Sequence, residues 1–104
     1  MENESKTLKI EQNLDNGVLT CKLDGWLDPN TSPDLLQIKT EGVKELIFDM
    51  QNVEYVFSSG LRAMLQLQRL MDSQNGTLKL IHVSDSIRSI FECTGFESML
   101  EPKA

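Results

Sequence analysis

VEYVFSSGLRAMLQLQRL, from Val53 to Leu70, joins an apolar run to a helical one through two serines and a glycine, with no charge between Glu54 and Arg62. The change of hydrophobic period at that junction marks a strand-to-helix turn. With Ser58 as N-cap and each residue turning about 100° round the axis, Gly60, Met64, Leu67 and Met71 fall on one stripe, flanked by Ala63 and Leu70. That stripe is expected to face a sheet. Ser58, Arg62, Leu65 and Arg69 line up on nearly the opposite side, giving a surface stripe with a hydroxyl at its top, two cations and one leucine expected to be exposed. The helical pattern lasts until DSQNG at 72–76.

Upstream, KELIFDM (Lys44 to Met50) has the continuous apolar centre of a central strand, and downstream TLKLIHV (Thr77 to Val83) alternates as another. LKIEQNL (Leu8 to Leu14) and GVLTCKLDG (Gly17 to Gly25) read as a hairpin about Asp15-Asn16-Gly17. Between the hairpin and the central strand, Ser32 is placed to cap a short first helix, with Pro33 at its first position and Asp34 in its first turn, ending near Gly42. In SDSIRSIFECTGF, Ser84 caps and Asp85 opens a third helix with Ile87, Ile90, Phe91 and Thr94 on one side and Gly95 at its end. The closing FESMLEPKA is too short to classify, with Met99-Leu100 a candidate last strand before Pro102. The order is ββαβαβα, without repeats or linkers: one α/β domain over residues 1–104, with residues 1–6 expected to be a flexible N-terminus.

Composition removes several kinds of function. A net charge of −6 has the wrong sign for a module that relies on phosphate-backbone attraction, so no nucleic acid is expected as partner. No run is long enough for membrane insertion, and MENESKTLK lacks the apolar region of a signal peptide, which makes the cytoplasm the expected location. Cys21 and Cys93 form no CxxC and are expected to be free and buried. There is no phosphate-binding glycine loop, no dinucleotide fingerprint and no metal spacing of His and Cys, so neither a metal nor a cofactor is expected. A nucleophilic serine is disfavoured: GxSxG fails at Val56 around Ser58, and at Phe57 and Leu61 around Ser59. The sole histidine, His82, lies in a predicted strand with a satisfied ring rather than beside the serines. Asp28 and Asp49 stand at predicted strand ends, where carboxylates either hold a cation or, more often, cap loops.

GWLDPNTSPDLL, ELIFDMQNVEYVFSSGLR and NGTLKLIHVSDSIRSIFECTGFESML together resemble the STAS family over almost the whole chain, and within it the bacterial anti-sigma factor antagonists. The resemblance implies a mixed sheet of four or five strands with three to four helices packed largely on one side. It implies no catalytic residue and no cofactor, but a role in transcription regulation and signal transduction. The partner would be an anti-sigma factor that is also a serine kinase and binds the ATP, with a PP2C-type phosphatase as a further partner. On this pattern Ser58 matches the phosphorylated serine, Ser59 the second serine and less favoured acceptor, and Gly60 the glycine. Asp28 and Thr31 match an acidic and a hydroxyl position in the loop bordering the site, and Asn30 lies between them. Together with Phe57, Arg62, Leu65 and Arg69 these are the expected partner-binding residues.

Phe57 departs from the pattern, standing where the signature has an acidic residue. Two orientations are open to it. Turned outward it would anchor the partner; turned inward it would cap the core above Met64, as large apolar residues beside a central strand usually do. An aromatic here also suits an alternative role, a STAS subunit that docks on a transporter or larger signalling assembly without being phosphorylated.

Overall fold

Turn chemistry sets the first pairing. In the computed structural model, which describes residues 8–95, β1 (Leu8–Asp15) and β2 (Val18–Leu27) pair antiparallel about Asn16 and Gly17, whose φ values are 52° and 82°. A two-residue hairpin connection of this hand needs left-handed backbone at both positions, which asparagine and glycine adopt at least cost. β2 pairs parallel with β3 (Glu45–Val56), and β3 parallel with β4 (Thr77–Ile81), so the order across the sheet is β1-β2-β3-β4. One face of the sheet supplies Leu19, Cys21, Leu23, Leu46, Phe48, Leu78 and Leu80 to the core. α1 (Ser32–Leu35), α2 (Ser58–Ser73) and α3 (Asp85–Thr94) add Leu35, then Met64, Leu67 and Met71, then Ile87 and Phe91 to the same cluster. This is the α/β architecture expected, a mixed four-stranded sheet with its described helices sharing one core.

Several local expectations need correction. β3 does not stop at Met50 but runs to Val56. Two bulges each put one extra residue on β3 opposite β2, between Lys22 and Asp24 and between Gly25 and Trp26. The buried positions therefore become Met50, Val53 and Val56, a spacing of three that does not look like a strand. β4 ends at Ile81, and His82 follows it with a left-handed φ of 56°.

α1 is only four residues long and takes Thr31, not Ser32, in its N-cap place. Beyond it the chain winds by i→i+3 bonds, with Gln37 N–H donating to Asp34 O and Ile38 N–H to Leu35 O at 3.2 Å each, which keeps Leu35 and Ile38 on the buried side. The carbonyls of Thr40 and Val43 are met by Gln74 Nε2 from the end of α2, at 2.6 and 3.1 Å, in place of further helix. Because α1 is so short, it covers the Ser59–Ala63 flank of α2 but not the lower end of that flank. Leu70 is accordingly 45% exposed, while Leu61 on the other flank is buried. α3 keeps its predicted caps: Ser84 Oγ accepts from Ile87 N–H, and Gly95 closes the helix at φ 82°. Cys21 is buried, but Cys93 on α3 is exposed. The candidate strand at Met99-Leu100 lies outside the described residues.

Candidate functional site

The end of β2 and the start of α2 are held against each other by backbone. Phe57 N–H donates to Leu27 O at 2.8 Å, and Phe57 O accepts from the N–H groups of Gly60 and Leu61. Phe57 therefore occupies the N-cap place of α2 with no side-chain cap, and Ser58, expected there, is the first helical residue. A Cβ on Gly60 would lie 2.9 Å from Leu27 Cβ and 3.2 Å from Val56 Cγ1, so a glycine is what lets the helix start this close to the strand ends.

The two serines differ in environment. Ser58 is exposed, whereas Ser59 is half-buried and accepts a hydrogen bond from Ser32 Oγ at 3.4 Å. Arg62 and Arg69 are exposed down the same helix as expected, but Leu65 between them is half-buried rather than exposed, since it lies nearer the packed side of the helix than the two arginines. An open groove of about 210 Å³ runs between α1 and α2 beside the serines, lined by Pro29, Ser32, Pro33, Leu36, Ser59, Arg62, Ala63 and Gln66.

The neighbouring loop is built by its own side chains. Asp28 Oδ1 accepts the N–H groups of Asn30 and Thr31 at 2.9 and 3.0 Å, while Thr31 Oγ1 accepts from Asp28 N–H and donates to Trp26 O at 2.5 Å. Asp28 and Thr31 are consequently buried, and the residues the loop presents outward are Pro29 and Asn30. Of the ten expected partner-binding residues, Asn30, Phe57, Ser58, Arg62 and Arg69 are exposed, and Gly60 is buried against Leu27.

Phe57 turns outward, 40% exposed, and joins Trp26 and Tyr55 in a group of rings. The inward orientation is thus not adopted: Leu27 and Val56 already fill the space beneath Gly60, and the β3 bulges send Tyr55 and Phe57 to the other face. Sequence reasoning missed Trp26 and Tyr55, whose partnership depends on those bulges.

His82 and Asp49 meet away from the serines, with His82 Nδ1 2.9 Å from Asp49 Oδ1. Burial alone would push the Asp49 carboxyl up, but the His82 hydrogen bond, the Gln51 N–H and the nearby His82 and Lys22 charges together hold it below the usual carboxylate value. Asp49 is thereby a structural acceptor. Among the described residues no group of His, Cys, Asp and Glu is arranged to hold a metal ion, and no helix is long and apolar enough to cross a membrane.

Comparison with known proteins places this geometry. The STAS domain family model matches residues 8–103. An anti-sigma-B factor antagonist of Staphylococcus aureus is 28% identical over 97 residues, covering 89% of this chain and 90% of its own. One from Staphylococcus epidermidis is 26% identical with the same coverage. Among solved structures, the anti-sigma factor antagonist SpoIIAA in its unphosphorylated form superposes with a TM-score of 0.80 at 19% identity, over 92% of this chain and 89% of that one. A sulfate transporter family protein from Wolinella succinogenes gives 0.73 at 21% identity, over 85% and 79%. At these identities the structural likeness is one of fold.

Proposed function

This chain belongs to the STAS domain family, and on that premise we propose that it is an anti-sigma factor antagonist whose unmodified form captures an anti-sigma factor and so frees a sigma factor. It works in the cytoplasm as a binding module and not as an enzyme. The anti-sigma factor doubles as the serine kinase and brings the ATP, so the domain needs no cofactor of its own, and a PP2C-type phosphatase reverses the modification.

The observation that carries the switch is the contrast between the serines: Ser58 is exposed at the first turn of a sixteen-residue helix, while Ser59 is half-buried and engaged with Ser32. A phosphate on Ser58 adds about −1.5 to −2 charge at the positive end of that helix, which tolerates an anion, so folding survives. The same charge beside Phe57 must be stripped of water when a partner closes over it, and about 2–5 kcal/mol of affinity is lost where the partner offers no compensating cation. Asp28 and Thr31 act by fixing the loop that presents Asn30, and Arg62, Leu65 and Arg69 extend the contact down α2.

Incubation with the cognate kinase and ATP, followed by mass spectrometry, tests the assignment. Phosphate is expected on Ser58 and is absent from Ser58→Ala, which still binds. Phosphate on Ser59 alone would sink the assignment. No phosphate at all would favour the second reading, a STAS subunit that docks on a transporter or signalling complex unmodified, to which Phe57 in place of the acidic residue points.

A further inference from the structure

Ser58 and Arg62 stand one turn apart on the same side of α2, and both are exposed. Helical residues four apart have Cβ atoms about 5–6 Å apart, and a long side chain leans back over the turn that precedes it. The Arg62 guanidinium is thus carried toward Ser58 and not away from it. Arg69 shares the side but lies eleven residues from Ser58, about 16 Å along the axis and out of reach.

Arg62 has no competing anion. Among the described residues it makes no ion pair, and the sole acidic residue of α2, Asp72, lies at the far end of the helix. Of the carboxylates in the segments that border Ser58, Asp28 is buried with its Oδ1 held by the Asn30 and Thr31 N–H groups, while exposed Asp34 and Glu54 do not pair with Arg62. Those segments, 26–36 and 52–61, contain no lysine or arginine, so Arg62 is the nearest cation that α2 and its borders offer the serine. We infer that a phosphate on Ser58 is captured by Arg62 in an intramolecular ion pair, an inference that rests on the switch proposed above. A guanidinium gives two parallel N–H donors to two phosphate oxygens, and an anion one turn before its cation is the favoured order on a helix. Modification then acts twice on the contact surface: it adds an anion, and it withdraws from the partner the arginine that the unmodified form presents.

The pair is tested without the kinase. Phosphoserine is installed at position 58 during synthesis, and its phosphorus resonance is titrated through the second ionisation of the phosphate in otherwise wild-type protein, Arg62→Gln, Arg62→Lys and Arg69→Gln. Asp28, Asp34 and Glu54 raise that pKa equally in all four proteins, whereas a cation beside the phosphate favours the dianion and lowers it. Arg62→Gln is expected to raise it by about 0.3 pH unit or more, Arg62→Lys to keep it nearer the wild type, and Arg69→Gln to leave it unchanged. The Arg62 Nε resonance is expected to move on phosphorylation while that of Arg69 stays. A phosphate that ignores Arg62→Gln, or responds as strongly to Arg69→Gln, overturns the pair and leaves the proposed function standing. In parallel, unmodified protein is titrated with the cognate anti-sigma factor, for which Arg62→Gln is expected to raise Kd several-fold. A measurable Kd that Arg62→Gln does not alter overturns the withdrawal of a contact cation. A wild type that ignores the anti-sigma factor, with a phosphate that still responds to Arg62→Gln, overturns the proposed function and not the ion pair.

Discussion

His82 pairs a mostly exposed imidazole with a buried carboxylate, and does so from a backbone conformation that L-residues rarely adopt. Left-handed backbone costs a residue with a Cβ about 1–2 kcal/mol, and glycine much less. Both His82→Ala and His82→Gly lose the bond to Asp49, but the glycine variant is expected to be more stable than the alanine by about 1 kcal/mol in chemical denaturation. The opposite ranking would contradict the backbone geometry. Asp49 has its own signature in acid. Its folded carboxyl titrates below the ordinary 3.8, so its contribution to stability is complete above that value and is lost as the pH falls through it toward the folded one. Melts between about pH 6 and pH 3 should therefore show a shallower acid limb for Asp49→Asn than for the wild type. None of this was legible in TLKLIHV, which alternates as a strand through His82, because the group that captures the ring lies 33 residues away in sequence. Ser84 and Gly95 were legible because each bonds or turns within its own helix end.

α2 separates binding from stability along a single helix. Met64 is fully buried beneath it, while Arg62 is exposed and Leu65 half-buried on its outer side. Met64→Asp strands a charge in the core and is expected to cost about 3–5 kcal/mol, read as a large fall in Tm. Arg62→Glu and Leu65→Asp should instead weaken partner binding by calorimetry while shifting Tm little. A melt for Leu65→Asp as low as that for Met64→Asp would mean that the helix is rotated from the orientation described. The phase was largely readable, since Gly60, Met64, Leu67 and Met71 are all buried as their spacing required. The misplaced flank, Leu61 for Leu70, traces to α1. After four residues the chain there winds by i→i+3 bonds, and Gln74 reaches across to the Thr40 and Val43 carbonyls, a tertiary contact that local capping signals do not encode. The outward turn of Phe57 was equally hidden, because it depends on extra residues in β3 that only pairing with β2 reveals as bulges.

Over the whole molecule the two thiols report opposite states of the fold. Cys21 has no exposed surface and burial pushes its thiol up to about 11, whereas Cys93 is open to solvent. A thiol reagent at neutral pH should label Cys93 at once and Cys21 only at the rate of global opening, so the slow phase measured by mass spectrometry tracks unfolding. Rapid labelling of both would refute the burial of Cys21. The strand order has a consequence for how the domain comes to exist. Because position across the sheet follows position along the chain, β1 to β4, each strand among the described residues pairs with one already made and none of these four has to be inserted between two others. The hairpin forms from adjacent residues, β3 adds to the free side of β2, and β4 to the free side of β3. A ribosome delivering this chain from its N-terminus therefore releases strands in assembly order, and loop-closure entropy is met in short instalments instead of one long search.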